Sequence, residues 1–229
     1  MKLGERLAAL ADFVPQGARI ADIGTDHGYL PIELIQKEIA DFAVAGDVHK
    51  GPYLAAKENI ENLGLEQKIS VRFGNGLGVL SPGEVDTVVI AGMGGSTIVE
   101  ILTNDPGVTR ALTRLILQPM IGAATVRSWL VTNKWCIVDE TLVQDDGRLY
   151  EIIVAEQGIS PEFESIMYDV GMILWEKKPK LLSLHLDQLI AQTKRVLREM
   201  TNSDRAQQSV KFNEYVKRLE QLEAKRQCL

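Results

Sequence analysis

The chain has 229 residues, 45% of them hydrophobic and 24% charged, with a net charge of −6. That is the balance of an ordinary globular protein with room for one large domain and a small appendage. Cys136 and Cys228 are its only cysteines and lie far apart, and no apolar run reaches membrane-spanning length. Glu5, Arg6 and Asp12 also interrupt the N-terminal leucines, so no disulfide framework, membrane span or signal peptide is expected, and the predicted location is the reducing cytoplasm.

In chain order, Leu3, Leu7, Leu10, Ala11 and Val14 fall at helical spacing and predict a short amphipathic helix. Strands are predicted over 18–23, 42–48, 69–73, 85–91 and 112–117, alternating with helices over 29–39, 52–63, 96–102 and 123–133. The run at 85–91 is almost continuously apolar, as in a strand buried on both faces. Two further β runs, 135–143 and 149–155, flank Asp145-Asp146-Gly147, a sequence suited to a hairpin turn. This alternation predicts an α/β fold: a Rossmann-like, doubly wound, mostly parallel sheet with an antiparallel edge strand from the hairpin.

Composition changes after Gly158. Only one of the 19 glycines, Gly171, lies beyond it. Residues 1–159 carry a net charge of −8, and residues 160–229 carry +2. Two long helices are predicted over 180–202 and 205–226, broken at Thr201-Asn202-Ser203-Asp204 with Ser203 or Asp204 as N-cap. Leu182, Leu186 and Leu189 mark the apolar face of the first, and Tyr215, Leu219 and Leu222 that of the second. The expected division is a domain over 1–158 and a coiled-coil-like helical hairpin arm over 159–229. His49 and His185 are expected at the surface.

The segment that carries chemistry is Asp22-Ile23-Gly24-Thr25-Asp26-His27-Gly28-Tyr29-Leu30, between the first strand and the first sheet-domain helix. A glycine turn there lets backbone approach a ligand at the carboxyl edge of the sheet. It is not the dinucleotide fingerprint, because Asp26 stands where the second glycine would be. The second strand ends in Gly46-Asp47-Val48, and an acid at that point can accept from both hydroxyls of a ribose. Asn75, before Gly76, either meets an adenine edge or belongs to an Asn-Gly turn. Gly92 and Met93 follow the fourth strand. His27 either caps the turn or lines the site, and Arg6 either faces solvent or pairs with a carboxylate there.

Asp22, Gly24, Asp26 and Gly28 occupy the four positions of the acid-x-Gly-x-Gly-x-Gly motif of class I S-adenosylmethionine-dependent methyltransferases, with Asp26 departing from it. Taken with Ala-Gly-Met-Gly-Gly at 91–95, Leu-Gln-Pro at 117–119 and Asp-Gly-Arg-Leu-Tyr-Glu-Ile at 146–152, the whole chain resembles the bacterial tRNA (adenine-22-N1)-methyltransferases. The resemblance implies S-adenosyl-L-methionine as cofactor, held by Arg6, Asp22, Gly24, His27, Gly28, Asp47, Val48, Asn75, Gly76, Gly92 and Met93. It implies catalysis assisted by Asp26 and Tyr29, with no metal. Asp26 either polarises the target adenine or contacts the cofactor.

The implied partner is tRNA, with Lys194, Arg195 and Arg198 of the arm as candidate phosphate contacts, and the expected state is a monomer or weak homodimer. The competing expectation is a methyltransferase acting on a small molecule or protein, whose arm serves dimerisation. An NAD oxidoreductase is disfavoured by the missing second glycine.

Overall fold

The computed structural model describes residues 3–161 and 163–229. The chain divides into two compact units, Met1–Pro161 and Glu162–Leu229.

The first unit opens with α1 (Glu5–Ala11). It then alternates β1 (Ala18–Ile23), α2 (Tyr29–Gln36), β2 (Ala40–Asp47), α3 (Lys50–Asn62), β3 (Ile69–Phe73) and a 3₁₀ turn (Gly76–Val79). There follow β4 (Thr87–Gly94), α4 (Gly95–Asn104), α5 (Pro106–Ala111), β5 (Arg114–Ile121), α6 (Ala123–Thr132), β6 (Trp135–Asp145) and β7 (Arg148–Gln157). All seven strands form one sheet in the order β3-β2-β1-β4-β5-β7-β6. Pairings among β1 to β5 are parallel, while β7 runs antiparallel to both β5 and β6. The hairpin therefore closes one edge, and its second strand joins the parallel core. Asp146 (φ 47°) and Gly147 (φ 74°) form its two-residue loop, the positive-φ pair that suits the twist of a tight hairpin.

The apolar runs go where both-face burial demands. Val88, Val89, Ile90, Leu115, Ile116 and Leu117 are all fully buried. The leading helix joins the same core through Leu3, Leu10, Ala11 and Val14, which pack with Ile20, Leu34 and Val154.

The second unit contains α7 (Met167–Val170), α8 (Met172–Lys177), α9 (Leu182–Met200), α10 (Asp204–Gln207) and α11 (Val210–Gln227). The helix expected over 205–226 starts only at Val210, because Ser203 caps the short α10 and Ser209 caps α11 by accepting from the Phe212 N–H. α9 and α11 lie antiparallel, bridged by Lys194–Glu223 (2.6 Å) and Arg226–Asp187 (2.8 Å). His185, expected at the surface, is 3% exposed. It stands three residues after the buried Leu182, on the same helical face. Among the described residues no helix is long and apolar enough to cross a membrane.

Candidate active site

The carboxyl ends of β1 to β4 enclose a cavity of about 350 Å³. It sits where the strand order reverses between β1 and β4, the place an open α/β sheet offers a ligand. Gly24, Asp47, Val48, Asn75, Gly76 and Met93 line it, six of the residues expected at the cofactor.

Asp47 ends β2 and is 7% exposed. Its Oδ1 accepts the His49 backbone N–H at 2.7 Å, with the exposed imidazole 3.3 Å away. This fixes the carboxylate of a residue that lines the cavity. The Asp47 carbonyl takes the Gly74 N–H at 3.0 Å, which locks the end of β2 to the loop after β3. In that loop Asn75 is exposed, and its side chain does not cap the 3₁₀ turn that follows.

At the end of β1 the N–H groups of Gly24 and Thr25 both donate to the Gly46 carbonyl (2.8 and 3.2 Å). Gly24 has φ +82°, and a Cβ there would fall 2.3 Å from Met93 Cε. Only glycine lets Met93 close over this turn. Behind it Asp22 is buried, and its pKa is pushed up to about 6, chiefly by burial. The Thr25 hydroxyl and the Arg6 charge pull it down, and the Asp47 charge adds to the rise.

Asp26, Tyr29, His27 and Gly28 stand outside the cavity lining. Asp26 is exposed with φ 51° and lies 3.6 Å from His27 Nε2. The His27 ring stacks on Tyr29 at 5.1 Å and 12°. Gly28 heads α2, with Ala56 and Ile60 of α3 against it.

Arg6 and Gly92 belong to a neighbouring cluster. Arg6 Nη1 donates to Gln118 Oε1 at 2.8 Å, and its guanidinium lies 5.5 Å from the centre of the Tyr150 ring. The same Gln118 Oε1 accepts the Gly92 N–H at 3.1 Å. Gly92 (φ +75°) is the bulge between Ala91 and Met93 that lets β4 keep its ladder with β5.

Sequence reasoning missed two groups. Gln118, fully buried, was visible only as part of the Leu-Gln-Pro motif. Thr97, Glu100, Asn104 and Asp105 form the α4 side of the cavity. Their signal was available, since 97, 100 and 104 repeat at helical spacing just after a glycine-rich strand end. Among the described residues no group of three His, Cys, Asp or Glu side chains could hold a metal ion.

The sequence matches the family described as "Methyltransferase domain" over residues 3–153. It is 37% identical to a Bacillus subtilis protein named tRNA (adenine(22)-N(1))-methyltransferase, over 97% of this chain and 96% of the relative. A Bacillus subtilis tRNA methyltransferase of known structure superposes with a TM-score of 0.88 at 36% identity, covering 98% of each chain. A Streptococcus pneumoniae protein crystallised with S-adenosyl-L-methionine superposes at 0.87 and 32% identity, covering 98% of this chain and 99% of that one. A methyltransferase sheet, an acid-lined cavity at its switch point and near-complete coverage of such a relative have one reading: the chain belongs to the tRNA (adenine(22)-N1)-methyltransferase family.

Proposed function

We propose that this chain transfers the methyl group of S-adenosyl-L-methionine to N1 of adenine 22 in tRNA. The observation that carries the proposal is the 37% identity over 97% of the chain to the Bacillus subtilis relative of that name. The cavity fits the cofactor. It pairs a buried, fixed carboxylate for a ribose diol with a polar wall of Asn75, Asn104 and Asp105 for a purine edge. When bound, S-adenosyl-L-methionine supplies an electrophilic methyl sulfonium.

The protein's part is to hold, orient and exclude water. The Asp47 carboxylate would accept from the ribose hydroxyls. Gly24 makes room for Met93 and Gly76 for Ile101, and all four residues line the cavity that would hold the cofactor. Arg6, steadied by Gln118 and Tyr150, offers its remaining N–H donors to the amino-acid carboxylate. On the substrate side Asp26 accepts from the exocyclic amine of the target adenine. Electron density then shifts toward N1, and the carboxylate offsets the positive charge that develops there. Tyr29 supplies an aromatic face, already paired with His27, for the unstacked base.

These assignments separate binding from turnover. Asp47→Ala removes a charged acceptor, and we expect it to weaken S-adenosylhomocysteine binding by about tenfold to several hundredfold in calorimetry. Asp26→Asn should leave that affinity within about threefold yet remove most of the turnover. Unchanged affinity in the first variant, or near-parental rate in the second, refutes the respective role. The activity itself is tested by incubating unmodified tRNA with labelled cofactor and digesting to nucleosides, where 1-methyladenosine is the expected product.

In this reading residues 1–158 bind the cofactor and the arm over 159–229 binds tRNA. Arg195 and Arg198 are exposed three residues apart on α9, whereas Lys194 is engaged with Glu223. Reversing both arginines to glutamate should weaken tRNA binding and flatten its log–log salt dependence by roughly two, since two phosphate contacts are lost. An unchanged slope places the RNA contact elsewhere.

A further inference from the structure

β4 and β5 outrun their neighbours. β1 pairs with β4 as far as Ile23 opposite Ile90, and β7 pairs with β5 as far as Ile153 opposite Leu117. Beyond those points residues 91–94 of β4 and 118–121 of β5 continue to pair with each other, Met93 with Pro119 and Gly94 with Ile121. The result is a two-stranded ribbon standing on the carboxyl rim.

The ribbon is held firmly. Gln118 ties its base to Arg6 and to the Gly92 N–H. At its tip the backbones starting α4 and α6 touch: a Cβ on Gly95 would fall 2.2 Å from the Gly122 carbonyl oxygen. Met93 and Gly94 line the cavity. On β5 beside them, Met120 is 42% exposed and Ile121 is 73% exposed. A Cβ on Gly94 would stand 4.0 Å from Ile121 Cγ1. A rigid element thus presents Ile121, and part of Met120 whose Sδ accepts from Gln118 Nε2 at 3.7 Å, to solvent one strand away from the cavity wall.

We propose that Met120 and Ile121 form a wedge that enters the tRNA base stack where adenine 22 leaves it. The inference rests on the methyltransferase reading above. An adenine in folded tRNA is covered by its stacking neighbours, and drawing it toward a protein cavity opens apolar base faces to water. An apolar side chain inserted at that step covers those faces and holds the gap open. A flexible loop would lose entropy on insertion, whereas the paired ribbon is preorganised. The occupant is a base stack because the ribbon adjoins the wall of the cofactor cavity, and the reacting base has to come up beside that cavity to receive the methyl group. Its outer end carries apolar groups where a phosphate contact would need cations.

The test uses full-length protein and tRNA with 2-aminopurine next to the target adenine, a base whose fluorescence rises when its stacking neighbour leaves. The parent should bind this tRNA and raise its fluorescence. The Met120→Ser/Ile121→Ser double variant should bind S-adenosylhomocysteine and tRNA within threefold of the parent. It should lose the fluorescence rise and methylate unmodified tRNA at least 30-fold more slowly in single turnover. Met120→Leu/Ile121→Leu, which keeps apolar bulk, should recover the rate to within threefold. Methylation by the serine variant within threefold of the parent overturns the wedge. So does loss of cofactor binding, which makes the ribbon a cofactor wall, or loss of tRNA binding, which makes it a general docking surface. Failure of the parent to methylate tRNA at all refutes the activity, and the wedge with it.

Discussion

Replacing Arg127 by Met is expected to remove about 3–5 kcal/mol of folding stability, the largest effect of any single change considered. Arg127, on α6, is fully buried together with Glu140 of β6, while Glu151 of β7 is 19% exposed. Its Nε donates to Glu140 Oε1 at 2.6 Å and its Nη2 to Glu151 Oε2 at 2.7 Å. Burial alone would lower the guanidinium pKa, but the two carboxylates outweigh it and hold the group above its ordinary value. One buried cation therefore pairs with two acids, one of them fully buried. Methionine keeps the bulk but removes that balance, so Glu140 faces Glu151 inside the fold. Chemical denaturation should show the loss directly, and for a protein of this size Tm should fall by roughly 10 °C or more. The control is Arg127→Met/Glu140→Leu/Glu151→Met. Replacing a whole buried ionic cluster by apolar groups is often neutral, so the triple variant should recover most of the loss. A single variant within 1 kcal/mol of the parent would show that the clasp between α6 and the hairpin contributes little.

That clasp shows where sequence reading runs out. Glu151 stands in the Asp-Gly-Arg-Leu-Tyr-Glu-Ile run at 146–152 and looked like part of a functional motif. Arg127 is a lone cation beside the apolar Val126 and Leu130. Nothing local says that α6 turns it inward to meet two acids from different strands, because that pairing exists only once the hairpin has folded back onto β5.

The sheet itself was legible. Its strands are short apolar runs separated by helical periodicity, and periodicity is a local property. Strand ends were not legible, for identifiable reasons. Gly92 reads as a stop, yet its positive φ makes a bulge and β4 continues to Gly94. Pro119 reads as a break, yet β5 has already left β7 at that point, so a missing N–H is tolerated there. α5 was hidden in Asp105-Pro106-Gly107, which resembles a turn but places Pro106 at the first helical position. The ribbon that carries Met120 and Ile121 was invisible for the same cause: both of its strands run through residues that normally end strands.

The candidate site divides in a similar way. Asp47 and Gly24 could be placed because a fixed interval after a glycine turn carries them to the same sheet edge. Arg6 could be named but its surroundings could not, since Gln118 and Tyr150 lie more than 100 residues away. The α4 wall was missed because the glycine cluster before it drew the reading to backbone and away from the helix that followed.

Asp22 supplies the remaining large effect, and it depends on pH. Its folded pKa is raised from 3.8 to about 6, mainly by burial. A carboxyl raised in this way favours the fold while protonated. Its contribution is fully present below the unfolded value and is lost as pH rises through the folded one. Above about pH 6 the protein therefore holds a buried charge that weakens folding by about 3 kcal/mol relative to acid conditions. Glu84 works in the opposite sense. Hydrogen bonds from Arg72 at 2.5 and 2.8 Å hold it at about 2, so its stabilisation disappears only as pH falls below its ordinary 4.5. Comparing Asp22→Asn with the parent cancels the Glu84 contribution, because both proteins carry it. The expected result is a stability difference near zero at pH 4 that grows through pH 6 in favour of the variant, approaching about 3 kcal/mol at pH 7.5. Urea denaturation across that range measures it, and a flat difference would show that burial does not strain this carboxyl.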